Sequence, residues 1–207
     1  MSHPAFPEVT GKRVLALGLG GGADAVTAYA LACVLGADVA YGNTKHAPGE
    51  TPIERRLPRG PHGSPLVLTV GGELPQFELI IGVDTGGDVL DTSPRGEKGR
   101  DRRMLHAIKH REAVVVVVAP GADGQLAPER LAPMDEHGTP FSLEPLLPFL
   151  REHGAQLATH RTPNIICRAF DEPTDPVEIP RGRRPKVPRA WLTTGYVFSI
   201  AALMKRC

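Results

Sequence analysis

Aromatic residues make up only 5% of the 207 residues, with a lone tryptophan, Trp191. The core must therefore come from Val, Leu, Ile and Ala. An excess of one charge is also missing: 24 Lys and Arg face 23 Asp and Glu. That balance gives no electrostatic case for nucleic acid or for an anionic membrane as partner. No apolar run reaches the roughly 18 residues of a transmembrane helix. The opening MSHPAFPEVT lacks the basic region and apolar core of a secretory signal, so a cytoplasmic location is expected. Cys33, Cys167 and Cys207 have neither metal-knuckle nor redox spacing. Cys33 and Cys167 lie in apolar segments and are expected to be small buried hydrophobes. There is no Gly-x-Ser-x-Gly elbow and no cysteine with an obvious base, so covalent catalysis is not indicated.

What the chain does hold begins at residues 13–35. An apolar run, VLALGL, has the length of a buried strand. Gly20, Gly21 and Gly22 follow, then the nearly uncharged helical stretch ADAVTAYALACVL. Strand, glycine turn and apolar helix open a doubly wound α/β sheet. Glycines permit close backbone approach, and a helix N-terminus offers free N–H groups to an anion. GLGGGAD fits GxGxxA, but the second strand ends near Asn43 rather than on an acid, which argues against a standard dinucleotide site. No Lys-Ser/Thr follows, so it is not a P-loop. The alternatives are a seat for phosphate, carboxylate or sugar, or a turn requiring positive φ with Asp24 favoured by the helix dipole.

Further strands are expected at residues 37–41, 66–70, 77–83 and 113–118. Five successive valines in the last require burial on both faces, as in a parallel sheet. Helices are expected at 103–110, 143–157 and 191–205, and a last strand at 164–170. Stretches 44–65 and 171–189 are rich in Pro and Arg and read as loops, the first a lid, binding loop or interface. No linker divides the chain, so residues 1–207 form a single domain. The fold class is a three-layer, Rossmann-like α/β domain, a mostly parallel sheet with helices on both faces. A strand order 3-2-1-4-5 would bring the loop after strand one beside the loop after the fourth, at the switch point.

That fourth strand ends in Asp84-Thr85-Gly86-Gly87-Asp88. Two carboxylates around a glycine pair could converge on a divalent cation, on sugar hydroxyls or on a proton. The competing reading makes Asp84 a turn residue and Asp88 a cap. Asp123, in Gly121-Ala122-Asp123-Gly124, again follows a strand. The arginines of 95–103 either clamp an anion or face solvent. The run RGRRPK at 181–186 reads as solvent-facing. His106 and His110 share a helical face, but no glutamate gives them a zincin pattern, and they read as solvated.

The segments GLGGGADAVTAYALACVLGADVAYGN, LIIGVDTGGDVL and APGADGQLAPERL, in this order and covering about half of the chain, resemble the DUF1152 family. The resemblance implies a Rossmann-like domain and assigns no reaction.

These readings favour a small-molecule enzyme of hydrolase or transferase type, for an anionic or hydroxylated metabolite that is nucleotide- or sugar-like. Catalytic candidates are Asp84, Asp88 and Asp24; binding candidates are Gly20, Gly21, Gly22, Asn43, Gly86, Gly87 and Asp123. Cofactor and metal stay open. Two alternatives remain: a non-catalytic sensor module, self-associating through its first or last helix, and a dinucleotide enzyme with a degenerate fingerprint.

Overall fold

A computed structural model describes residues 5–36, 39–47, 49, 51–59, 65–93, 96, 98–131 and 136–205. Residues 37, 38 and Cys207, each named above, lie outside them. Chain order begins β1 (Val14–Gly18), α1 (Gly22–Leu35), β2 (Val39–Lys45), α2 (Pro52–Arg56), β3 (Leu66–Thr69), β4 (Leu79–Thr85) and α3 (Arg100–Ile108). It continues β5 (Ala113–Val118), α4 (Pro128–Leu131), β6 (Thr139–Ser142), α5 (Leu147–Gly154), α6 (Thr162–Asp171), β7 (Val177–Glu178) and β8 (Lys186–Val187). It closes with α7 (Arg189–Leu192), β9 (Thr194–Ser199) and α8 (Ile200–Met204).

The main sheet has seven strands in the order β3-β2-β1-β4-β5-β9-β6. The first five are parallel, in the 3-2-1-4-5 order the sequence suggests; β9 runs antiparallel to both its neighbours. Alternation along each strand feeds two cores. Val14 and Ala16 of β1, with Val116 and Val118 of β5, face a core shared with α1, α5 and α6. Leu15, Leu17, Val115 and Val117 face the other, shared with α3 and α8. The valine run thus supplies both layers. The result is a three-layer α/β sandwich.

Helix α1 is apolar all round because it is covered on both sides. One side lies on β1, β2 and β4; the other is packed by α5 and α6. Ala25, Val26, Ala28 and Leu31 are solvent-free. Helix α1 therefore uses its apolar surface inside the chain. Cys33 is corrected too. It is exposed, and Cys167 is only half-buried, because each sits at the outer rim of its helix.

Two elements differ from the sequence expectation. Residues 164–170 form part of helix α6, not a strand. Thr162-Pro163 starts it, and Ile165, Ile166 and Ala169 recur at helical spacing on its buried face. Residues 191–205 are not one helix but α7, β9 and α8; the β-branched and aromatic Thr194–Ser199 inserts between β5 and β6. The expected loop 44–65 contains α2. Its Thr51-Pro52-Ile53-Glu54 is a capping box with proline in the first turn, a signal present in the sequence. The loop 171–189 holds the β7–β8 hairpin.

Candidate functional site

The site lies where the parallel order reverses. Strands β1 and β4 are adjacent, Gly18 opposite Val83, so the loops after them share one mouth. The Thr85 N–H donates to Asp24 Oδ1 at 2.8 Å, tying the first turn of α1 to the end of β4. Strand β4 also lies beside β5, and the Gly121 N–H donates to the Gly86 carbonyl at 2.7 Å. Three strand ends, carrying Asp24, Asp84, Asp88 and Asp123, therefore meet.

The glycines of the first loop are not there for left-handed backbone. Gly20, Gly21 and Gly22 all avoid positive φ. A Cβ on Gly20 would lie 2.0 Å from Asp24 Oδ2 and 2.5 Å from Asp101 Oδ1, so both carboxylates use the space a side chain would take. A Cβ on Gly22 would strike Ile53 of α2 at 2.2 Å. At Gly21 the nearest atom is Arg100 Nη2, 3.6 Å away: that glycine leaves room rather than relieving a clash. Left-handed backbone falls instead on the later turns, at Gly86 and Gly87, φ +120° and +98°, and at Gly121 and Gly124. A Cβ on Gly86 would also meet Asp123 Cβ at 2.7 Å.

The four aspartates named so far, with Asp101, crowd a dry place, and their protons respond. Burial, then repulsion from Asp101, lifts Asp24 to about 8. Burial and the Asp123 charge lift Asp88 to about 8. Asp101 rises to about 6, through burial and then Asp88. Asp123 is raised by burial. Its Oδ1 accepts from the Gln125 N–H at 3.0 Å, and its carboxylate shares a side-chain hydrogen bond with Asp88, whose raised carboxyl carries the proton. Asp84 is raised by burial and by Asp101, and both its oxygens accept backbone N–H bonds, from Gly87 at 3.3 Å and Val89 at 2.8 Å. It builds the turn from which Asp88 projects.

Cations balance the acids. Arg100, Arg161 and Arg181 line the same pocket, of about 120 Å³, with Gly21, Asp24, Asp88 and Asp123. The first turns of α1, α3 and α6 all open on it, and no side chain caps any of the three. Uncapped helix starts present unsatisfied N–H donors and positive dipole ends. Thr162 Oγ1, on a buried residue of the pocket wall, also lacks a partner among the described residues. Donors for an anion thus share the pocket with carboxylates able to accept hydroxyl hydrogens or exchange protons. Among the described residues, no three His, Cys, Asp or Glu side chains are placed to hold a metal ion.

No family model, curated protein or solved structure matches the chain.

The structure gathers Gly20, Gly21, Gly22, Asp24, Asp84, Asp88 and Asp123 into one pocket wall. Gly86 and Gly87 shape the turn behind it. Asn43 stands apart: its Nδ2 donates to Glu54 Oε1 at 2.7 Å, inside a buried network with Lys45, whose Nζ lies 2.9 Å from Glu54 Oε2. His106 lies on α3, but His110 falls beyond the helix end. Sequence reasoning missed Asp101, Arg161, Thr162, Gln125 and the inward role of Arg181. Asp101 was legible only with α3 begun at Arg100, three residues before the expected start. Arg161 and Thr162 became legible only with α6 read as a helix. The basic run at 181–186 gave no hint that Arg181 turns inward while its neighbours face water.

Proposed function

We propose that this chain is an enzyme acting on a small phosphorylated and hydroxylated metabolite, sugar- or nucleotide-like, as a hydrolase or transferase. One observation carries the reading: three arginines and three uncapped helix starts share a single pocket with five crowded aspartates. The basic half suits a phosphate, which guanidinium forks and backbone N–H groups bind together. The acidic half suits hydroxyls and proton transfer. Asp88 holds a proton at neutral pH and donates it to the leaving oxygen. Asp101, raised only to about 6 and so still charged at neutral pH, takes the proton of the attacking water or hydroxyl. Asp84 positions Asp88 and takes no part in proton transfer. The three segments that resemble the DUF1152 family include both glycine–aspartate turns, so membership there belongs to this proposal.

The test is a panel of sugar phosphates and nucleotides, followed by released phosphate and by mass spectrometry for transfer products. The proposal expects turnover of at least one compound, and a kcat lowered about 10²- to 10⁴-fold by Asp88→Asn. Binding without turnover across the panel would replace the enzyme by a sensor.

A further inference from the structure

Beyond the inner pocket lies a second, larger chamber of about 470 Å³, lined by Asp91, Ser93, Gln125, Arg130 and Arg183. Asp88 and Gln125 line both chambers. Gln125 Nε2 donates to Asp88 Oδ2 at 2.7 Å, and Gln125 is exposed. The wall they share is therefore a hydrogen bond between an exposed amide and a carboxyl.

The loop of residues 181–184 serves both sides. Arg181 lines the inner pocket and Arg183 the outer chamber. The loop is pinned by backbone: the Arg183 N–H donates to the Gly124 carbonyl at 3.0 Å, and Arg184 N–H to the Arg181 carbonyl at 3.0 Å. A Cβ on Gly182 would lie 2.3 Å from the Gly124 carbonyl oxygen, so the contact is intimate. In the outer chamber Arg130 already pairs with Asp91 at 2.6 Å. Arg183 has no ion pair among the described residues. An exposed guanidinium at a cavity wall, with no ion pair among the described residues, can receive a second anion.

Resting on the reading of the inner pocket as a phosphate seat, we propose that the substrate is a bisphosphorylated sugar or polyol. One phosphate sits in the inner pocket among Arg100, Arg161 and Arg181. The hydroxylated carbons pass between Asp88 and Gln125, which give up their mutual bond to hold carbinol groups. The second phosphate meets Arg183 outside.

The experiment is calorimetric titration of the full chain with fructose 1,6-bisphosphate, fructose 1-phosphate and fructose 6-phosphate. In the wild type, the bisphosphate binds about tenfold or more tightly than either monophosphate. Arg183→Ala, whose backbone bond to Gly124 persists, removes that advantage and leaves monophosphate affinity unchanged. Arg181→Ala weakens all three. Equal binding of mono- and bisphosphate, or equal loss of both in Arg183→Ala, overturns the second subsite while the inner phosphate seat survives. Binding of none of the three refutes the inner seat and this inference together.

Discussion

Asp24→Asn should make this protein more stable at neutral pH, and by an amount that depends on pH. Asp24 is buried, and its carboxyl rises from 3.8 to about 8 on folding. At pH 7 the folded chain holds a proton that the unfolded chain has released. The stability of the acid form is intact below the unfolded value of 3.8 and is lost as pH climbs toward the folded value of about 8. Each pH unit crossed costs about 1.4 kcal/mol, so roughly three units amount to about 4 kcal/mol at pH 7. Asparagine carries no such penalty. Its side-chain oxygen keeps the bond from the Thr85 N–H, and its amide can donate toward Asp101. Relief of neighbouring carboxyls and loss of local fit bring the expected gain to about 2–4 kcal/mol. Urea unfolding of both proteins from pH 4 to 8 reads it directly. The two stabilities should nearly coincide at pH 4 and diverge steadily above it. Parallel curves across that range, or a variant less stable at pH 7, would refute the reasoning.

Three further outcomes separate fold from site. Gly21→Ala should leave stability within about 0.5 kcal/mol, because its Cβ finds open space, yet weaken phosphate binding in the same calorimetric assay. Gly20→Ala should lose about 1–3 kcal/mol in urea unfolding, since its Cβ collides with Asp24 and Asp101. Burial opposes ionisation of Glu54, but donors from Thr51, Asn43 and Lys45 outweigh it and hold the carboxyl at about 2. Its stabilisation is therefore present above the ordinary value of 4.5 and fades as pH falls toward 2. Glu54→Gln leaves Lys45 buried without its counter-charge and should cost about 3–5 kcal/mol at pH 7, as thermal unfolding would show.

The fold was legible where local chemistry and global topology agree. Residues 14–18 and the valine run read as strands buried on both faces, and the sheet confirms it with alternate residues in two cores. The alternation of elements implies a mostly parallel sheet; the strand order, and with it the meeting of the two glycine–aspartate turns, enters the sequence reading only as a condition, which the topology meets. Legibility failed where a short apolar run fits two periods. NIICRAF satisfies a strand as readily as a helix, and only the preceding Thr-Pro start decides for the helix. It failed again at β9, an antiparallel insertion between β5 and β6 that no local signal announces. The site followed the same rule. Acidic residues directly after strands were found, because a charge at the end of a buried strand needs a reason. Asp101, Arg161 and Arg181 were not, because they reach the pocket through tertiary packing of helices and a hairpin loop.

Anion donors and proton-sharing carboxylates share one pocket, and a crystal structure of the chain grown with a saturating sugar phosphate shows whether a ligand uses both. The phosphate is expected within hydrogen-bond reach of the Gly22 and Ala23 N–H groups and of Arg181, with ligand hydroxyls turned toward Asp88 and Asp123. A phosphate bound on another face, with only solvent beside Gly21, would leave the pocket without its assigned ligand and end the proposal.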